Sequence, residues 1–232
     1  MKQISIKTED GVAPAYEFGS GPSVLFFIDG IGMRPAMHEL GERLAAGGYH
    51  VLMPDVFWRM GAYTAHDPKQ LFTDPAIQKD WFSRVMTTST PDKMMRDTKA
   101  YLEQLPGKVG ITGYCMGGRL SITAAGTYPE RIAAAAAYHP GGLATDDPAS
   151  PHLLAAKIKA KVYVGAARDD QHFDDAQQQR LRDALDAAHV DNTIEKYDAL
   201  HGWVPSDTPV HDAAATERHW TTLLDLFGKT LK

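Results

Sequence analysis

Cys115 is the only cysteine in the chain and lies within Gly113-Tyr114-Cys115-Met116-Gly117-Gly118. The apolar run Val109-Gly110-Ile111-Thr112 precedes this segment, and the helix-compatible stretch Arg119-Leu120-Ser121-Ile122-Thr123-Ala124-Ala125 follows it. A strand that passes through a glycine-flanked turn into a helix holds its central residue on a sharp, strained corner with the reactive atom exposed. The residues two before and two after the corner have almost no room for a side chain, which accounts for Gly113 and Gly117. Free N–H groups and the dipole at the helix start favour a thiolate and a developing oxyanion. The plain alternative is a buried, inert cysteine at a strand end. The paired glycines favour a nucleophile.

A thiol nucleophile needs a base, and the base needs an orienting acid. Two later strand ends supply both types. The run Lys161 to Ala166 leads into Ala167-Arg168-Asp169-Asp170-Gln171-His172-Phe173. The run Thr193 to Tyr197 leads into Asp198-Ala199-Leu200-His201-Gly202-Trp203. Strand ends along one edge of a parallel sheet converge, so these loops can meet Cys115. His201 is the expected base, with Gly202 allowing a sharp turn beside it, while His211 and His219 read as solvated or packing residues. The acid is Asp169 or Asp170, because neighbouring carboxylates cannot both face one imidazole. Asp174 and Asp175 read as the N-cap and first-turn charges of the next helix.

The first buried strand, Val24 to Ile28, ends in Asp29-Gly30-Ile31-Gly32. The N–H groups of Gly30 and Ile31 are candidate oxyanion donors, with the N–H of Met116 as the second donor. Asp29 is a further polar group at this edge or simply the cap of its turn. Arg34 is a candidate contact for a substrate anion.

These residues need a scaffold that brings strand ends together, and the chain has its signature. Ile4 and Ile6 mark an edge strand, Tyr49 to Asp55 a strand after a helix carrying Met37, Leu40 and Leu44, and Ile132 to Tyr138 an alanine-rich strand. Helices are expected on Met94, Thr98, Tyr101 and Leu105, on Leu181, Ala184, Leu185 and Ala188, and on Trp220, Leu223, Leu224 and Phe227. Residues 56–91 read as a less regular insertion or lid. Strand and helix alternate throughout, which predicts one α/β domain over 1–232 with a mostly parallel central sheet and helices on both faces.

With 232 residues and a net charge of −5, the chain can bury a full core and shows no basic patch for nucleic acid. No apolar run is long enough to span a membrane. The lone cysteine and an N-terminus without an apolar signal core lead to the expectation of a cytoplasmic protein. There is no His-Glu-x-x-His, no paired-cysteine zinc spacing, no phosphate loop and no complete dinucleotide glycine motif. The expected chemistry therefore requires no metal or cofactor.

The cysteine elbow with Arg119 after it, the Asp170 loop and His201-Gly202 together resemble the dienelactone hydrolase family, from about Tyr16 to Phe227. The resemblance implies an α/β-hydrolase fold without a large cap domain and a Cys115-Asp170-His201 triad, choosing Asp170 over Asp169. It implies a carboxymethylenebutenolidase-like hydrolase that opens a small carboxylic ester or lactone through a covalent acyl-enzyme. In prototypes of the family a glutamate at the position of Asp29 contacts the resting thiol, which makes Asp29 a candidate for tuning Cys115. Prototypes also hold a substrate carboxylate with arginines; Trp203 follows His201-Gly202 here and, with Ile31 and Arg34, completes the candidate substrate contacts. The rival readings are a thioesterase or acyltransferase on the same triad, a non-catalytic binding protein on a hydrolase scaffold, and a single-thiol redox sensor.

Overall fold

The computed structural model describes residues 1–231. Eight strands form one sheet: β1 (Lys2–Lys7), β2 (Val12–Phe18), β3 (Ser23–Phe27), β4 (His50–Pro54), β5 (Val109–Tyr114), β6 (Ile132–Tyr138), β7 (Lys161–Ala166) and β8 (Asn192–Lys196). Their spatial order is β1-β2-β4-β3-β5-β6-β7-β8. β2 runs antiparallel to both β1 and β4, and every pairing from β4 to β8 is parallel. The central strands β3 and β5 are buried along their whole length, as expected for strands covered on both faces.

The helices are α1 (Pro35–Ala46), α2 (Pro68–Thr73), α3 (Pro75–Thr88), α4 (Pro91–Glu103), α5 (Met116–Thr127), α6 (Asp175–Ala187) and α7 (Ala213–Thr230). Alternation along β5 shows that they cover both faces of the sheet. A Cβ on Gly110 would strike Phe227 and Leu231 at the end of α7, whereas one on Gly113 would strike Gly117 of α5. Residues three apart on a strand point to opposite faces, so α7 and α5 lie on opposite sides. This is the expected α/β-hydrolase arrangement, without a large cap domain. No helix among the described residues is long and apolar enough to cross a membrane.

The alanines of β6 follow from packing. The Cβ of Ala137 lies 3.3 Å from where a Cβ on Gly118 would sit, so small side chains let α5 lie close to the sheet. Two elements differ from the sequence reading. β2 was not anticipated, since its buried Ala13 and Ala15 give a weak alternation and Pro14 argues against a strand. Residues 56–91 are mainly helical, with α2 and α3 within them. Asp67 caps α2 by accepting from the Gln70 N–H at 3.0 Å, and Asp74 caps α3 by accepting from the Ala76 N–H at 2.9 Å. Pro68 and Pro75 occupy first-turn positions, where their missing N–H does no harm. Leu71, Trp81 and Val85 anchor the two helices to the core.

Candidate active site

Cys115 sits where β5 becomes α5, with φ 52° and ψ −115°, a conformation that a side chain other than glycine rarely adopts. The corner is held by its backbone. The Cys115 N–H donates to the Tyr138 carbonyl at 3.1 Å, and the Cys115 carbonyl accepts from Gly118 at 3.1 Å and from Arg119 at 3.3 Å. The flanking glycines are steric necessities. A Cβ on Gly113 would lie 2.1 Å from the Gly117 carbonyl oxygen, and one on Gly117 would lie 2.4 Å from that of Ile28. β3, β5 and α5 are thus closed against one another at the corner, and Cys115 remains partly exposed at its apex.

The loops after β7 and β8 bring Asp170 and His201 to this edge. His201 Nδ1 lies 2.7 Å from Asp170 Oδ2. The Asp170 side chain is 1% exposed, and its other oxygen accepts from the His172 N–H at 2.9 Å. Burial would raise the Asp170 pKa, but the hydrogen bond and charge of His201 outweigh it and hold the carboxyl below its usual range. Asp169 points away, with its side chain 85% exposed beside Arg168. Burial alone would lower the pKa of His201. The charge and hydrogen bond of Cys115, together with those of Asp170, overcome it and raise the imidazolium to about 10. Cys115, His201, Gly30, Ile31 and Met116 all line one cleft of about 510 Å³, a volume suited to a small molecule.

The oxyanion candidates divide. Met116 is the first residue of α5, so its N–H has no acceptor within the helix. The Gly30 N–H has no protein acceptor among the described residues. The Ile31 N–H, in contrast, donates to Asp29 Oδ1 at 3.0 Å, and the Trp81 indole N–H holds the Gly30 carbonyl at 2.8 Å. Ile31 therefore contributes its side chain to the cleft wall, and its amide is already engaged.

Three further expectations are corrected. Arg34 does not reach toward a substrate anion. It is buried, donates to both carboxylate oxygens of Asp29 at 2.7 and 2.9 Å, and donates to both of Asp207 at 2.7 and 3.1 Å. Asp29 lines the cleft, but its two oxygens already accept from Arg34 and from the Ile31 amide and are not free to serve the thiol. Trp203 is fully buried and stacks on Tyr197 with ring centroids 4.9 Å apart, so it supports the site from beneath and has no free face for substrate. His219, read as a solvated or packing residue, is a packing residue: it is fully buried, with its Nε2 2.9 Å from the Tyr114 hydroxyl.

Sequence reasoning missed two groups. His139, the residue after β6, has φ 38° and is fully buried at the cleft. Its ring centroid lies 5.2 Å from that of His201 and 4.9 Å from that of Trp203, and neither of its nitrogens has a hydrogen-bond partner among the described residues. Burial above all, with the charges of His201 and His219, pushes its pKa far down, so the ring is neutral. Its place at a strand end before Pro140-Gly141-Gly142 was the available signal. The second group is the apolar wall formed by Phe72 of α2 and Phe82, Val85 and Met86 of α3. Once α2 and α3 had been read as helices, this wall could have been found.

Comparison with known proteins agrees with this architecture. The chain is 28% identical over 218 residues to a carboxymethylenebutenolidase of Rhodococcus opacus, covering 92% of this chain and 83% of that protein. Among solved structures, a dienelactone hydrolase-like promiscuous phosphotriesterase from metagenomic libraries superposes with a TM-score of 0.77 at 22% identity, covering 100% of this chain and 98% of that one. An enol-lactonase from Burkholderia xenovorans LB400 superposes with a TM-score of 0.69 at 12% identity, covering 97% of this chain and 100% of that one. Residues 12–231, nearly the whole chain, match the dienelactone hydrolase family. The elbow, the strand-end loops and this match together make the chain a member of the dienelactone hydrolase family.

Proposed function

We propose that the protein hydrolyses a carboxylic ester or lactone through a covalent acyl-enzyme on Cys115, with His201 as the acid–base group and Asp170 as its orienting partner. The observation that carries this reading is the 2.7 Å hydrogen bond between buried Asp170 and His201 Nδ1, which leaves Nε2 for the thiol at the elbow.

With the His201 pKa raised to about 10, the ring holds the proton that it takes from the thiol, and the sulfur attacks as a thiolate. Attack on the carbonyl carbon forms the S–C bond and moves the C=O π pair onto oxygen. The Met116 and Gly30 N–H groups, both without other acceptors, receive that oxyanion. Collapse breaks the C–O bond, and the departing oxygen takes the proton from His201 Nε2. In an ester the alcohol leaves; in a lactone it stays tethered to the acyl group. Water then attacks the thioester as His201 takes one of its protons. A second collapse expels the thiolate and releases the carboxylic acid, restoring the starting pair.

The test is turnover of aryl esters and lactones by wild type and by Cys115→Ala, with mass spectrometry of quenched samples. Wild type is expected to turn over and to show a mass increase on Cys115 equal to the acyl group less the thiol hydrogen it replaces. The variant is expected to show neither. Undiminished turnover by Cys115→Ala would remove the thiol from the mechanism.

A further inference from the structure

The cleft around Cys115 differs in character from one wall to the other. Catalytic polarity lies on the elbow and on the His201 loop. The apolar lining comes from α2 and α3, with Phe72, Phe82, Val85 and Met86, and is extended by Ile31 and Met116. Phe72 and Met86 are 53% and 62% exposed, which is unusual for large apolar side chains placed together at a cleft mouth. A bound apolar group would take both out of water.

The charges on the cleft are already engaged. Asp29 holds Arg34, and Arg34 also holds Asp207. Arg119 is the one cationic Arg or Lys side chain among the lining residues. Its guanidinium donates to the Gly142 carbonyl at 2.9 Å and lies 3.8 Å from the Asp147 carboxylate. His139 is buried and neutral. A substrate carboxylate entering this cleft would lose its water and find no uncommitted arginine or lysine, an arrangement that disfavours binding.

We propose that the substrate carries an uncharged apolar acyl group, alkyl or aryl, seated against Phe72, Phe82 and Met86, and that acyl groups bearing a second carboxylate are discriminated against. This selection rests on the hydrolase reading above. It differs from what the name of the Rhodococcus opacus relative denotes, a butenolide with a carboxymethylene group. The alkyl or aryl group lies along the α2–α3 wall while its carbonyl points to Met116 and Gly30.

The experiment compares p-nitrophenyl acetate, butanoate and hexanoate with mono-p-nitrophenyl adipate, whose acyl chain has the same six carbons as hexanoate. Each methylene that reaches the wall is expected to raise kcat/KM by about three- to fourfold. The adipate monoester is expected to fall at least about tenfold below hexanoate at pH 7. Phe72→Ala and Met86→Ala change exposed side chains, and each is expected to flatten the chain-length gain through KM. A flat response to chain length, or an adipate monoester as good as hexanoate, overturns the proposal. Calorimetric titration of Cys115→Ala with hexanoate and adipate monoesters reads the same selection without turnover. Tighter hexanoate binding supports the proposal, and equal or tighter adipate binding overturns it. Selective binding in that variant with no ester turnover by wild type would overturn the hydrolase reading alone.

Discussion

Asp29 and Arg34 form a two-point ion pair, at 2.7 and 2.9 Å, with both side chains 5% exposed. The pair joins the end of β3 to the approach to α1, and through Asp207 to the segment that follows His201. It fixes the loop that carries Gly30. Burial would lower the Arg34 pKa, but the two carboxylates outweigh it, and the guanidinium stays charged. Asp29→Asn is therefore expected to act on stability. The variant leaves buried Arg34 with Asp207 as its remaining carboxylate partner, and the lost charge-assisted hydrogen bonds are expected to cost about 1–3 kcal/mol. The rate of Cys115 alkylation by iodoacetamide at neutral pH is expected to stay within about twofold of wild type. Urea melts and alkylation rates on the same samples check this. A faster alkylation with unchanged stability would return Asp29 to the role of thiol tuner.

Asp170 and Asp169 are neighbours in sequence with opposite surroundings. Asp170 is buried on His201, and Asp169 is exposed beside Arg168. Asp170→Asn is expected to lower kcat/KM by about 10²- to 10⁴-fold, because the amide no longer fixes the ring tautomer or balances the imidazolium. Asp169→Asn is expected to stay within about twofold. Steady-state kinetics of the two variants on one ester decides the assignment.

The titration of His201 reports on its partners. With its pKa raised to about 10, the ring is expected to keep its proton through neutral pH and lose it near that value. Cys115→Ala removes a contact that favours the charged ring, so the midpoint is expected to move down, toward the ordinary value of about 6.5. NMR of the imidazole resonances across pH measures both. Equal midpoints in the two proteins would show that Cys115 does not interact with the ring.

His219 predicts a loss of stability in acid. Burial, above all other influences, lowers its pKa to about 3. In the unfolded chain the value is about 6.5. Above that pH neither state binds the proton, so there is no slope. Between the two values the unfolded chain takes up a proton that the folded one refuses, and stability falls as pH falls. The slope approaches 1.4 kcal/mol per pH unit for this one group. His139, lowered in the same direction, adds to it. His219→Gln keeps a hydrogen-bonding group for the Tyr114 hydroxyl and is expected to reduce the slope between pH 6 and 4 by about one proton's worth. Urea melts at several pH values compare the slopes, and identical slopes would mean that His219 takes up its proton in the folded state.

The corner at Gly113 predicts a backbone collision. A methyl group there would meet the Gly117 carbonyl oxygen at 2.1 Å, and no flexible side chain can move aside to relieve it. Gly113→Ala is expected to destabilise the fold by more than about 2 kcal/mol, against less than about 1 kcal/mol for Gly228→Ala, where among the described residues no atom beyond its own helix backbone and chain neighbours lies within 4 Å. Paired melts of the two variants test this.

The features legible in the sequence were those set by local sterics and chain order. Gly113 and Gly117 flank Cys115 because a strand cannot turn into a helix over so short a corner with side chains in the way. Asp170 and His201 could be placed at one sheet edge because each follows a strand in a parallel run. The helical character of 56–91 lay in the caps at Asp67 and Asp74, but scattered aromatic residues obscured the period. Tertiary structure alone decided which charges and amides are available. Arg34 meets Asp207 across 173 positions of chain. Asp29 turns to that arginine, and Ile31 gives its amide to Asp29. Trp203 stacks on Tyr197, and His139 lies against His201. Sequence spacing constrains neighbours through bond geometry, whereas pairing across the sheet edge depends on distances that exist only once β3, β5, β7 and β8 lie side by side.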